Sequence, residues 1–211
     1  MKYLGMPMAM WDLFHASFTR QLTATLGQTE ASAKETEKAA KQEYRRIIAR
    51  LPAFESGDRF RMNIVNCAML GAYVLHMPVR PHVAQLTDYY AKAVMTPMTR
   101  WFCRKMGKSK FSAKDVENMR RTEQLRAADR NPYSWNMTFL PYADDSGYEA
   151  RFSRCGICAL MKELGLYDLT PAMCHLDYSM TEAGETADFV RQYTLASGGP
   201  YCDCGYKKKQ K

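Results

Sequence analysis

Apolar positions recur every three or four positions through most of the chain as far as Arg130. Between Met10 and Leu51 that spacing runs with little Gly or Pro, and Pro52 closes it, so the pattern predicts one long helix. Tyr44, Ile47, Ile48 and Leu51 form its buried stripe, while Glu35, Glu37, Lys38, Lys41, Glu43, Arg45 and Arg46 form a solvated charged face. A second helix is predicted from Asp58 to Leu75, and a third follows Pro81 through Tyr89, Tyr90 and Val94. Pro97 kinks or divides it ahead of Trp101 and Phe102. Ser112 caps a further helix that carries Asp115 in its first turn and ends near Asn131-Pro132.

Beyond Asn131 the period changes. Trp135–Leu140 and Tyr148–Ser153 flank Ala-Asp-Asp-Ser-Gly and predict a β-hairpin with its turn at Asp144 to Gly147. Cys155 to Leu164 reads as a short helix closed by Gly165, and Pro171 opens another that runs to about Glu182. Asp188–Ala196, the turn Ser197-Gly198-Gly199-Pro200 and Tyr201–Lys207 predict a second hairpin. The fold class is therefore α+β: a helical amino-terminal half, then an antiparallel ββααββ sheet with helices packed on one side. The predicted organisation is a helical region 1–130, a cysteine-rich region 131–207 and a basic tail 208–211, in one integrated domain.

Composition narrows the function class. With 46% hydrophobic and 25% charged residues and no apolar run near the ~20 residues of a membrane span, a soluble globular protein is expected. Pro7 and Asp12 interrupt the amino-terminal apolar stretch, so no signal peptide is predicted. Seven cysteines, an odd number, then suggest a reducing cytoplasm. Of the net charge of +8, four charges belong to Lys207, Lys208, Lys209 and Lys211, which leaves weak anion attraction as the reading. The expected partner is a small molecule, with no nucleic acid and no membrane, and with room for a homo-oligomer.

Five of the seven cysteines lie from Cys155 onward, at 155, 158, 174, 202 and 204. Cys155 and Cys158 form a Cys-x-x-Cys at a predicted helix start, where unpaired amides stabilise a thiolate. That spacing suits a redox pair, half of a zinc site, or a reactive thiol beside a packed one. Cys202 and Cys204 share a strand face, so Cys155, Cys158 and Cys202 are candidate zinc ligands, while Cys204 reads as a packed thiol. On a helix from Pro171, Cys174 and Asp177 share a face and form the candidate catalytic pair, with His175 rotated away as a surface residue. A bare carboxylate raises a neighbouring thiol's pKa, so an activated Cys174 needs a cation or a helix end nearby. Arg191 and Tyr193 share a face of the third strand, opposite Gln192 and Thr194, and Arg191 suits a substrate carboxylate.

Taken in order, Cys155-Gly-Ile-Cys158 with Lys162-Glu-Leu-Gly165, then Cys174-His-Leu-Asp177-Tyr178, then Arg191 through Asp203 resemble the L-2-amino-thiazoline-4-carboxylic acid hydrolase family. The resemblance covers the chain from the Asn131-Pro132 region onward, and ahead of that only the helical texture is similar. One position departs: where the family continues Cys-Asp with an aromatic residue, this chain has Cys204. The resemblance implies hydrolytic opening of a small cyclic isothiourea to N-carbamoyl-cysteine. Cys174 would attack the ring carbon, or Asp177 or a bound metal would activate water. Arg191 and Thr194 would bind substrate and Asp203 would face its cationic amidine. The closing hairpin also resembles, more distantly, vinyl-reductase-type small-molecule-binding domains that can hold zinc, so a non-catalytic sensor is the alternative.

Overall fold

The computed structural model describes residues 6–55 and 57–210. The start of the stretch read for a signal peptide, residues 1–5, and Lys211 of the basic tail lie outside them. The chain divides into two compact units, which interleave along the sequence: Met1–Val94 with Asn131–Ser134 and Gly156–Met173, and Met95–Arg130 with Trp135–Cys155 and Cys174–Lys211.

In the first unit, α1 (Pro7–Ala24) and α2 (Glu30–Arg50) replace the single helix expected from Met10 to Leu51. Gly27 adopts φ +69°, a left-handed conformation that ends a helix, and the Thr29 hydroxyl then accepts the Ser32 amide to start the next. α3 (Arg61–His76) and α4 (Val83–Val94) follow. α1 packs on α2 and α4, and α2 packs on α3. Their core is aromatic. The Trp11 ring lies 5.4 Å from Tyr44 and 5.5 Å from Tyr73, and Phe18 meets Tyr89 edge-on at 5.8 Å. Two buried hydroxyls are satisfied by backbone: Tyr44 donates to the Pro7 carbonyl and Tyr73 to that of His15.

The second unit begins with α5 (Pro97–Gly107), so Pro97 does divide the predicted helix, and α6 (Ala113–Ala127) starts as expected with Ser112 accepting the Asp115 amide. The hairpin forms from β1 (Thr138–Pro141) and β2 (Gly147–Phe152), with Asp144 Oδ1 accepting the Ser146 amide in the turn. α7 (Gly156–Glu163) belongs to the first unit and packs on α3.

The helix expected from Pro171 is two helices, α8 (Pro171–Cys174) and α9 (Leu176–Gly184), separated at His175. β3 (Ala187–Val190) is shorter than predicted, and β4 (Cys202–Lys208) takes in Lys208 from the expected tail. The sheet is antiparallel throughout, in the order β1-β2-β4-β3.

Register explains which side chains meet. Cys204 lies opposite Ala150, Cys202 opposite Phe152, and Tyr206 opposite both Tyr148 and Phe189. Paired residues in an antiparallel ladder share a face, so these side chains make one surface, buried at Tyr148, Ala150, Phe152, Cys202 and Cys204 and half-buried at Phe189 and Tyr206. The alternate positions Glu149, Arg151 and Asp203 make the other face and are partly exposed. α9 covers the buried face through Tyr178, whose ring meets Phe189 edge-on at 4.7 Å. α5 reaches α9 where Gly107 meets Gly184: a Cβ on Gly107 would stand 2.2 Å from the Gly184 carbonyl oxygen.

Candidate functional site

The buried sheet face and the helix break at Cys174 and His175 bring the expected residues around one cation. Arg191 lies one residue beyond β3, and its guanidinium turns in against the Phe189 ring, 4.5 Å from the centroid. Nη1 donates to the Cys174 carbonyl at 2.8 Å. Nη2 donates to Cys204 Sγ at 2.9 Å and to Asp177 Oδ2. The Arg191 side chain is 6% exposed and that of Asp177 is 43% exposed, so the pair joins a buried cation to a wet carboxylate. The Nε–H of Arg191 is buried and has no acceptor among the described residues.

This hub accounts for the split helix. The Cys174 carbonyl, which would otherwise accept from an amide one turn further on, accepts from Arg191 instead, and α9 restarts after His175. His175 is exposed, as expected, and stacks on Tyr178 at 5.4 Å.

The thiols are held protonated. Burial pushes the Cys174 pKa well up, Cys155 adds to that, and Arg191 opposes it without cancelling it. Burial likewise raises Cys204 to about 12, aided by Asp177 and opposed by Arg191. Cys202 is raised by burial although the Leu195 amide donates to its sulfur at 3.2 Å. Burial works to lower the Arg191 pKa, but Asp177 and Cys204 outweigh it and the net shift is upward. Cys155, Cys174, Cys202 and Cys204 belong to one unit, and there the Cys174 carbonyl and the Cys204 sulfur share the Arg191 guanidinium. Cys158 belongs to the other unit.

Two expected substrate contacts are engaged differently. Asp203 accepts the amides of Gln192 and Tyr193 at 2.7 and 2.6 Å, on the sheet face opposite Cys202 and Cys204. Those two bonds draw the backbone after Val190 out of the ladder, which shortens β3 and removes the strand alternation expected of Arg191 to Thr194. The Thr194 hydroxyl accepts the Ser197 amide and caps a 3-10 turn, Leu195–Ser197. As for zinc, among the described residues no three of His, Cys, Asp and Glu are grouped so as to hold a metal ion, and no disulfide is formed. The expected Cys155, Cys158 and Cys202 donor set therefore does not fit a tetrahedral zinc site.

Cys204, expected only to pack, is a contact of the central cation. Its strand position was visible, but its partner was not, since nothing in the spacing ties residue 204 to 191. The model of the L-2-amino-thiazoline-4-carboxylic acid hydrolase family matches residues 62–206. The chain belongs to that family. The match reaches upstream through α6, α5 and α4 into α3, so membership extends well ahead of Asn131, where the motifs that suggested it begin. No curated protein and no solved structure matches the chain. In this chain Cys204 places a sulfur where Arg191 donates.

Proposed function

We propose that the protein hydrolyses a small cyclic isothiourea carboxylate of the 2-aminothiazoline-4-carboxylate kind to an N-carbamoyl amino acid. Family membership supports the reaction class, and the Arg191–Asp177 pair is the observation that carries the assignment of roles. Asp177 is the general base: Arg191 takes one of its oxygens and its wet side faces water. Water adds to the ring carbon between sulfur and nitrogen as Asp177 accepts its proton. The carbon–sulfur bond then breaks, and Asp177 returns a proton to the departing sulfur. The hydroxyl's remaining proton passes to the former ring nitrogen, so the product carries a urea oxygen from water and a free thiol, and atoms and charge balance with no further reagent.

Cys174 is not the nucleophile in this scheme, because a thiol attacks as its thiolate and burial holds Cys174 protonated. Arg191 orients Asp177. With both Nη2 hydrogens given to Asp177 and Cys204, one Nη1 hydrogen given to the Cys174 carbonyl and Nε buried, it presents no forked pair of donors to a substrate carboxylate. Asp203 and Thr194 hold the segment that carries Arg191. No observation favours the sensor alternative.

Incubating the protein with 2-aminothiazoline-4-carboxylate and titrating released thiol tests the reading. Asp177→Asn is expected to lower kcat by about 10²–10⁴-fold with an unchanged circular dichroism spectrum, whereas Cys174→Ser keeps most turnover. Full turnover by Asp177→Asn, or complete loss in a folded Cys174→Ser, would overturn the assignment of base and nucleophile. Absence of any thiol release by the parent protein would overturn the substrate class.

A further inference from the structure

α5 is built inside out. Its small residues Cys103 and Gly107 face the rest of the unit, while Met98, Trp101, Phe102 and Met106 stand 47%, 55%, 51% and 52% exposed. A helix packed on a domain normally turns its large apolar residues inward. Here the near contact of Gly107 with Gly184 brings the α5 backbone down onto α9, and the spacing of 98, 101, 102 and 106 directs the large side chains outward along one broad stripe.

The charge carried by α5 and the chain on either side of it is of one sign. Between Asp88 and Asp115 the sequence has seven Lys and Arg residues and no further Asp or Glu. Arg100, Arg104, Lys105, Lys108 and Lys114 are exposed. Lys105 Nζ lies 5.3 Å from the Trp101 ring centroid, so its stem runs along the apolar stripe with the ammonium at the water side.

We infer that α5 is an interfacial helix that docks the protein on an anionic lipid surface, with Trp101, Phe102, Met98 and Met106 in the acyl boundary and the flanking cations on the headgroups. Exposed aromatic and thioether side chains on a short, uniformly basic helix are the composition that partitions into a bilayer interface. A second copy of the chain is a poor occupant, since two such helices would oppose like charges. The helix is also only ~16 Å long, against ~800 Å² per partner in a stable protein interface. This inference replaces the expectation of no membrane partner and is independent of the proposed hydrolysis. No helix among the described residues is long and apolar enough to cross a membrane, so the contact is peripheral.

Flotation of the protein with vesicles decides it. Phosphatidylcholine vesicles containing phosphatidylglycerol should carry the protein upward at low salt and release it at high salt, and pure phosphatidylcholine should carry little. Trp11 and Trp135 are buried, so a blue shift of tryptophan emission on the anionic vesicles should come from Trp101 and vanish in Trp101→Phe without loss of flotation. Trp101→Ser with Phe102→Ser, and separately Arg104→Glu with Lys105→Glu, should each weaken flotation by about tenfold or more. Thiazoline turnover in solution should be unchanged in both, which also reports that they fold. Equal binding to neutral vesicles, no binding, or unchanged binding by the folded variants would overturn the inference. So would a dimer abolished by Trp101→Ser, or preferential binding of single-stranded nucleic acid over anionic vesicles.

Discussion

The two units solve burial in opposite ways. The first fills its centre with rings: Trp11 is 1% exposed against Tyr44 and Tyr73, and Phe18 continues the stack from Tyr73. Within that stack, Tyr44 and Tyr73 each donate to a nearby carbonyl. The second unit buries a guanidinium against a phenyl ring and surrounds it with a carboxylate, a carbonyl and a thiol. Apolar burial gains stability in proportion to area and is indifferent to direction. A buried charge costs several kcal/mol unless every partner is in place, so it fixes geometry more than it stabilises. The contrast fits the division of labour proposed above, in which the first unit supplies stability and the second supplies an oriented base.

If that comparison is right, the units fail differently when cut. Trp11→Ala should have the largest effect, lowering stability by about 3–5 kcal/mol through lost area and a residual cavity. Urea denaturation followed by circular dichroism measures it, and a loss under about 1 kcal/mol would mean the aromatic stack is not the centre of its unit. Arg191→Met should cost about 2–3 kcal/mol, below the usual 3–5 for a broken buried pair because water already reaches Asp177. Restoring neutrality with Asp177→Asn in the same chain should recover part of that loss. A purely volumetric role for Arg191 predicts no recovery.

Alkali tests the buried thiols of the second unit more gently. A thiol raised on folding binds its proton more tightly in the native state, so its contribution is complete below the unfolded pKa and is lost as pH rises toward the folded one. For Cys204 the window runs from an ordinary 9.0 to about 12. Stability should therefore fall by about 1.4 kcal/mol per pH unit above that lower limit from this group alone, and Cys174, shifted the same way, steepens the fall. Urea midpoints across this range measure the slope, and Cys204→Ala should flatten it by up to that one-group amount, about 1.4 kcal/mol per pH unit. An unchanged slope in that variant would remove Cys204 from the buried set.

How much of this the sequence disclosed follows from the range of each interaction. Helix ends set by local chemistry were legible: Pro52, Pro97, Ser112 and Gly165 act on their own neighbours. The break between α1 and α2 was equally local. Gly27 followed by Thr29 is a stop and a start, masked by apolar spacing that continued in phase across it. The break at His175 and the early end of β3 were not legible, because each depends on a partner distant in sequence: Arg191 for the Cys174 carbonyl, and Asp203 for the amides of Gln192 and Tyr193. The candidate site was legible as residues and not as connections. Cys174, Asp177 and Arg191 do meet, yet the side chain expected to hold substrate holds Asp177 and Cys204. The outward apolar face of α5 escaped notice because periodicity marks a stripe without saying which side of the helix is covered.

The smallest expected effect tests whether local rules differ between the units at all. Thr29 in the first unit and Ser112 in the second each accept the amide three positions on, at 3.2 Å in both cases. Thr29→Ala and Ser112→Ala should each cost about 1 kcal/mol. Asp115 complicates the second case: its Oδ2 accepts the Phe111 amide at 3.0 Å and the Tyr148 hydroxyl at 2.7 Å, tying the start of α6 to the sheet. If that tie holds the helix start by itself, Ser112→Ala will cost measurably less than Thr29→Ala, and Asp115→Ala more than either. Equal costs for the two caps would mean that helix starts obey the same chemistry in both units, leaving the difference between them entirely in what their cores bury.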